Sequence, residues 1–587
     1  MKNIGRYIKK YKIETIFAPL FKLLEASFEL LIPIVMTKII DIGIVNKDIN
    51  YIIHMCLVMV SLGVIGFICS VTAQYFAAKA AVGVGTLMRE DLFAHINKLS
   101  FSDLDAIGTS TLITRITNDI NQVQNGVNMT LRLLLRSPFI VFGAMLMAFF
   151  IDVKSAIVFL VVIPILGVIV FMIILISIPM FKKIQEKIDE IMLLVRENLS
   201  GARVIRVFNR QGEENREFID KINHLKKIQI NVGKISSLLN PITYIFIYFS
   251  IVLILWVGGK EVSKGQLTQG AVIALISYMT QILGELVKGA NLMILITKAI
   301  ASSKRINDIM VVEPSIKNKI ENEMDLQDKA GTSKDNIKKA VEFRNVSFSY
   351  YQNGENSLDS VSFVINRGET VGIIGSTGSG KSTLVNLMPR FYDANIGDIF
   401  VNEKNVKEYS LDELRSIIGI VPQKTVLFEG TILENILWGN KNASPQDIDE
   451  ALEIAQAREI VDDKEGGLQY KISQGGKNLS GGQRQRLTIA RALIKKPQIL
   501  VLDDSSSALD YVTDAKLRKA INENTEGMTV FIVAQRAAYI KHLEKILVIE
   551  DGKIVGIGNH INLLKSCEVY KEICSSQLSI EEVDAHE

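Results

Sequence analysis

The stretch with the clearest chemistry is Gly375-Ser376-Thr377-Gly378-Ser379-Gly380-Lys381-Ser382-Thr383. It fits the spacing G-x-x-x-x-G-K-[ST], in which glycines let backbone N–H groups close around phosphate oxygens. Lys381 is placed to reach the β- and γ-phosphates of a nucleotide, and the Ser382 hydroxyl to coordinate Mg²⁺. Such a loop works between a strand and a helix. Val371-Gly372-Ile373-Ile374 supplies a short buried-strand pattern before it, and Leu384-Val385-Asn386-Leu387-Met388 reads as helix after it. Downstream, Ile499-Leu500-Val501-Leu502-Asp503 is a second buried strand ending in a carboxylate, which would help hold the same Mg²⁺.

These residues belong to a chain of 587 residues, too long for one ordinary domain. Its hydrophobic fraction of 48% sits beside 22% charged residues, because apolar runs crowd into 14–300. Six stretches are long enough to cross ~30 Å of hydrocarbon as helices: 16–40, 52–80, 133–152, 156–180, 240–258 and 269–297. Lys22, Glu25 and Glu29 interrupt the first and share one helix face, as Glu285 and Lys288 do in the sixth. Charges at such depth need a partner, a cavity or the interface, so an ion pair that fixes packing and a polar patch lining a path are both open.

The basic N-terminus (Lys2, Arg6, Lys9, Lys10, Lys12) places that end in the cytoplasm. Loops 43–50, 152–154 and 259–268 are then outside and short. The long charged segments 82–131 and 181–238 are inside and read as helices that extend the spans. No small-residue cleavage site follows the N-terminus, so no cleaved signal peptide is expected. Residues 313–340 are polar and aperiodic, a linker by composition. The expected organisation is a membrane domain at 1–312, a linker at 313–340 and a soluble α/β domain at 341–587. A net charge of +3 gives no argument for a nucleic-acid partner. Cys56, Cys69, Cys567 and Cys574 lack metal or redox spacing and read as reduced thiols.

With Leu479-Ser480-Gly481-Gly482-Gln483 added, the chain resembles the ATP-binding cassette (ABC) transporters of the exporter type over essentially its whole length. The resemblance implies an α-helical membrane domain, six transmembrane helices with long cytoplasmic extensions, fused to an α/β P-loop NTPase domain of the ABC type. It implies ATP and Mg²⁺ as cofactors, with Tyr350 stacking on adenine and Gln423 sensing Mg²⁺ together with Ser382 and Asp503. Ser507-Ala508-Leu509-Asp510 would be the D-loop, and Gly201 to Phe208 a coupling segment. In this family two ATP-binding domains close head to tail, so 479–483 would face ATP held by a partner chain.

Three departures from the family pattern cluster. Asp504 stands where a catalytic Glu is expected, with its carboxylate roughly a bond length further back, a misplacement that can cost on the order of 10²-fold in rate. Gln535 in Ala534-Gln535-Arg536 replaces the switch histidine, and an amide lacks imidazole acid–base behaviour. None of the six histidines substitutes for it, His542 being seven positions on. Gln474 stands for the usual Glu before the signature.

The expected function is therefore one subunit of a heterodimeric exporter in a bacterial plasma membrane. Its own ATP site would bind and cleave slowly, while its signature completes the active site of a second half-transporter that carries the catalytic Glu and switch His. The exported class would be drugs or lipophilic compounds. A homodimer with two slow sites, and a regulatory membrane protein that moves nothing, are the alternatives. A soluble ABC ATPase acting on nucleic acid is disfavoured by the apolar spans.

Overall fold

The computed structural model describes residues 2–317, 338–350, 354–505, 507–524 and 527–577. Residues 318–337 of the expected linker lie outside the described residues. The chain divides into two compact units: Met1–Asn97 with Gly108–Glu313, and Lys98–Ile107 with Pro314–Glu587.

The first unit is all helix. Its main elements are α1 (Lys12–Lys38), α2 (Ile49–Ile96), α3 (Thr109–Ile151), α4 (Val153–Ser200), α5 (Gln211–Ser237), α6 (Leu239–Ser263) and α7 (Gln269–Met310). The tight connections are set by N-caps. Asp48 accepts from the Tyr51 N–H to start α2, Asp152 from Ser155 to start α4, and Thr268 from Ala271 to start α7. At 48 residues, α2 and α4 each run roughly 70 Å, more than twice the ~30 Å of hydrocarbon. Both are therefore long enough to cross and to project well beyond.

Among the described residues five helices, namely α2, α3, α4, α6 and α7, are long and apolar enough to cross a membrane. The expected span at 16–40 is the continuous helix α1, but its charges take it outside that group. Those charges are paired. Lys22 Nζ donates to Glu25 Oε2 at 2.5 Å, and Arg136 of α3 donates to Glu29 Oε2 at 2.7 Å and Glu285 Oε1 at 2.5 Å. Ser137 Oγ and Lys288 Nζ also reach Glu285, both at 2.9 Å. Arg136 and Glu285 are almost fully buried, so each carboxylate gains a cation in place of water. Small residues let the helices approach around them: Ala26, Ala144, Ala148, Ala156 and Ala274 are all fully buried. Outward, Phe67, Phe142, Phe150, Leu160 and Trp256 are exposed, the inverse of a water-soluble bundle.

Among the described residues the second unit holds two main sheets and a small antiparallel pair, Gly430–Thr431 with Lys471–Ile472. β1 (Lys339–Phe348), β2 (Leu358–Asn366) and β4 (Ile396–Val401) form an antiparallel sheet in the order β2-β1-β4, with the short pair Lys404–Asn405 at its edge. The six-stranded sheet runs β9-β8-β3-β7-β6-β5, from β3 (Thr370–Gly375), β5 (Ile418–Val421), β6 (Ile499–Asp503), β7 (Thr529–Val533), β8 (Lys545–Glu550) and β9 (Lys553–Gly558). Its inner pairings are parallel and only β8–β9 is antiparallel. β6 and β7 are buried at every position, which explains their unbroken apolar sequence. The edge strand β9 instead shows alternating exposure. The parallel register brings the C-terminal ends of β3, β5, β6 and β7 to one rim, where open α/β sheets bind ligands.

Candidate functional site

The loop leaving β3 is shaped by glycines that cannot be replaced. A Cβ on Gly375 would lie 2.0 Å from the Ile549 carbonyl oxygen, and one on Gly380, at φ +99°, 2.4 Å from that of Ser357. The loop feeds the helix Lys381–Leu387. Lys381 Nζ donates to the carbonyls of Gly375 at 3.0 Å and Ser376 at 2.6 Å, with the Ser379 hydroxyl at 3.4 Å. Burial draws its ammonium below the usual lysine range, and the Asp503 and Asp504 charges oppose that.

Ser382 Oγ donates to Asp503 Oδ1 at 3.1 Å, joining the loop to the end of β6. Burial pushes the Asp503 carboxyl upward, against the Ser382 hydrogen bond, and the neighbouring Asp504 charge adds to the rise. The Asp503 carboxylate and the Ser382 hydroxyl, once the carboxyl is ionised, are a fitting pair of oxygen ligands for a hard divalent cation.

Asp504 closes the rim. Its backbone is left-handed (φ +49°), a region that Asp tolerates better than most residues, and its N–H donates to the Val533 carbonyl at 3.1 Å. Two amides converge on its Oδ2: Gln423 Nε2 at 3.3 Å and Gln535 Nε2 at 3.0 Å. The resulting cavity, about 270 Å³, is lined by Tyr350, Thr377, Gly378, Gly380, Lys381, Ser382, Thr383, Gln423, Asp503, Asp504 and Gln535, together with Ser357 and Val533. No histidine is among its lining residues. His542 instead meets Arg518 Nη1 at 3.4 Å, against another cavity. Tyr350 holds its hydroxyl 3.1 Å from Thr383 Oγ1 and sets its ring edgewise against Phe348 and Tyr392. Gly375, Ser376 and Ser379 frame the loop from behind rather than facing the cavity.

The stretch 479–483 is not part of this cavity. Leu479 is buried, Ser480 is exposed, and Ser480 caps the helix α8 (Gly481–Leu493). Its Oγ accepts from Gln483 N, and Gln483 Oε1 accepts from Ser480 N at 3.0 Å, a reciprocal capping box. Gly481 and Gly482 pack against the 507–510 segment, where a Cβ on Gly482 would lie 3.1 Å from the Ala508 carbonyl. In that segment Ser507 Oγ donates to the Asp504 carbonyl at 2.9 Å, and Asp510 accepts from the Thr513 N–H at 3.0 Å. Gln474 lies on an exposed turn whose Gly475 and Gly476 both have positive φ.

One feature carries no local motif. Lys98–Ile107 belongs to the second unit, where Phe101 meets Phe391 at 4.7 Å and Tyr392 donates to Asp105 Oδ2 at 2.7 Å. Tyr392 in turn touches Tyr350 at the cavity. Gly201–Phe208, the expected coupling segment, contains the short helix Ala202–Val207 in the first unit, with Val204, Val207 and Phe208 strongly exposed. The four cysteines are unpaired.

Residues 15–286 match the family described as ABC transporter transmembrane region, and 358–507 the family described as ABC transporter. The chain is 36% identical to the uncharacterized ABC transporter ATP-binding protein YfiB of Bacillus subtilis, covering 99% of each. It is 34% identical to an uncharacterized ABC transporter ATP-binding protein of Mycobacterium tuberculosis (98% of this chain, 97% of that one). It is 29% identical to an ATP-dependent lipid A-core flippase of Desulfotalea psychrophila (96% and 97%). A solved bacterial Atm1-family ABC exporter with ATP bound shares the fold, with a TM-score of 0.78 at 22% identity over 96% of this chain and 99% of that one.

Proposed function

The chain belongs to the ABC transporters, as an exporter that fuses a transmembrane domain to an ATPase domain, and on that premise we propose that it is the slow-site subunit of a heterodimer. It would sit in the plasma membrane with six spans, α1 included, and with its N-terminus and ATPase domain in the cytoplasm. The domain limits would be those of the charge and apolar pattern, 1–312 and 341–587.

In this reading the loop 375–383 and Lys381 grip the phosphates of ATP, and Tyr350 presents its ring to adenine. Ser382, Asp503 and Gln423 would hold Mg²⁺, which when bound neutralises phosphate charge. On binding, Lys381 exchanges two loop carbonyls for phosphate oxygens, a gain for a partly desolvated ammonium.

The observation that carries the slow-site reading is the state of Asp504. Its carboxylate is short by one methylene, and its Oδ2 already accepts from two carboxamides, which leaves only Oδ1 to serve a water. A general base needs a free lone pair within reach of the water it polarises. Gln535 can donate to a γ-phosphate but cannot shuttle a proton there. The signature 479–483, by contrast, is intact with Ser480 and Gly481 exposed, suited to a phosphate held by another chain. The exposed Val204, Val207 and Phe208 offer that partner an apolar contact. The cargo would be drugs or lipophilic compounds.

A homodimeric lipid exporter is the second reading, favoured by the likeness to the lipid A-core flippase. ATPase assays on purified protein separate the two. Expressed alone, the chain should show little turnover, and a second half-transporter with catalytic Glu and switch His should restore it. Robust turnover by this chain alone would sink the heterodimer. Little turnover with or without such a partner, combined with substrate-stimulated lipid movement in vesicles, would favour the second reading.

A further inference from the structure

The C-terminal helix α9 (Glu568–Gln577) ends on the switch segment. Gln577 Nε2 donates to the Gln535 carbonyl at 3.0 Å, and Gln577 Oε1 accepts from the Ala537 N–H at 2.9 Å. One carboxamide thus bridges both ends of a three-residue bend, as a peptide group of a neighbouring strand would. The helix that presents it is firmly seated. Tyr570 and Cys574 are fully buried, and the Tyr570 hydroxyl lies 2.9 Å from His560 Nδ1. At the other end of the bend, Gln535 Nε2 reaches Asp504 Oδ2, and the Asp504 N–H is fixed to Val533. The Gln535 amide is therefore held from two sides, by Asp504 through its side chain and by Gln577 through its main chain.

We infer that Gln577 is a positioning residue of the ATP site, setting the Gln535 amide against Asp504 and the phosphate it would meet. This rests on the reading above that the cavity holds ATP. Without the clip, the bend at 535–537 gains backbone freedom and the amide must be ordered when nucleotide binds.

The test uses the full-length transporter, purified with its partner and photolabelled with 8-azido-[α-³²P]ATP and Mg²⁺, reading label on this chain against nucleotide concentration. Gln577→Ala should weaken labelling about 3- to 10-fold, the scale of one or two neutral hydrogen bonds. In a Gln535→Ala background the same change should have less than about 2-fold effect, since the group it positions is gone. An equal loss in both backgrounds, or none in either, overturns the inference. Gln577→Glu keeps the acceptor for Ala537 and loses the donor to Gln535. Its second oxygen would oppose the Gln535 carbonyl, so it should weaken labelling by at least about 3-fold with an unchanged melting temperature, and it carries the test if the alanine variant misfolds. Wild-type labelling by Gln577→Glu would also overturn the inference. The bound label, chromatographed as tri- or diphosphate, reports separately on the slow-site reading: diphosphate in wild type would refute that reading and leave the comparison of the two backgrounds intact.

Discussion

The phosphate cavity and the start of α8 are built in opposite ways. In the cavity every key polar group already has a partner: Lys381 the loop carbonyls, Ser382 the Asp503 carboxylate, Asp504 the amides of Gln423 and Gln535. At the start of α8 the capping box consumes the N–H groups of Ser480 and Gln483. Gly481 and Gly482 then carry the first-turn N–H groups without an acceptor among the described residues, at the positive end of a 13-residue helix. The first region is closed on itself and must exchange partners to bind. The second is open and has nothing in its own cavity to bind. On the reading proposed above, a chain so arranged would hold one nucleotide and offer its exposed first-turn donors to another.

The strongest way to break this contrast is Gly481→Asp, which sets a carboxylate where a partner's γ-phosphate would lie. Steady-state ATPase of the complex should fall about 10²-fold or more, the scale for losing one oriented donor to a developing charge. ATP retention by this chain's own cavity should be unchanged. Loss of both would mean that the two regions serve one site. Next, Lys381→Ala should weaken ATP binding to this chain by about 10- to 100-fold, measured by photolabelling, as a charge-assisted hydrogen bond set is lost. Complex turnover should drop far less. Asp504→Asn should change turnover by less than about 3-fold, because an already engaged, ill-placed carboxylate contributes little as a base. Changing the partner's catalytic Glu to Gln should nearly abolish turnover, and equal losses would show two equivalent sites.

The smallest effect concerns stability. Asp503 has its folded pKa raised by burial, so the folded state binds its proton more tightly than the unfolded chain. Its contribution is favourable below the ordinary carboxylate value of 3.8 and is lost as pH rises through the raised value. At neutral pH, Asp503→Asn should therefore melt slightly higher than wild type without nucleotide, and the gap should shrink as pH falls through that window. The variant should also lose the stabilisation that Mg²⁺ adds to ATP. A lower melting point at neutral pH would place the worth of Asp503 in its Ser382 hydrogen bond instead.

Much of the cavity was legible in the sequence because its parts are short-range. A strand, a loop of fixed glycines and a helix lie within two dozen residues, and β6 announces itself by an unbroken apolar run ending in Asp503. The charges of α1 were legible as a shared face. Their partner Arg136 was not, since a single arginine at the edge of an apolar run reads equally as a helix end. Nor could the sequence offer Gln577, a glutamine in the last turn of a polar helix, whose role depends on where β7 stops. The same holds for Tyr392 and Asp105, whose contact joins positions 287 apart and leaves no periodic trace.

That contact has a consequence for biosynthesis. Lys98–Ile107 leaves the ribosome between the first membrane helices, long before the unit to which it belongs. Phe101 has no Phe391 to meet, and Asp105 no Tyr392, until almost three hundred further residues are made. Chain closure over that length adds little entropy beyond a shorter loop, so the wait is one of time rather than of stability. A soluble fragment begun at 338 would leave Phe391 without its Phe101 contact and the Tyr392 hydroxyl without Asp105. Supplying 98–107 as a fused or separate peptide should improve its yield, which makes an early ten-residue segment a folding partner for the end of its own chain.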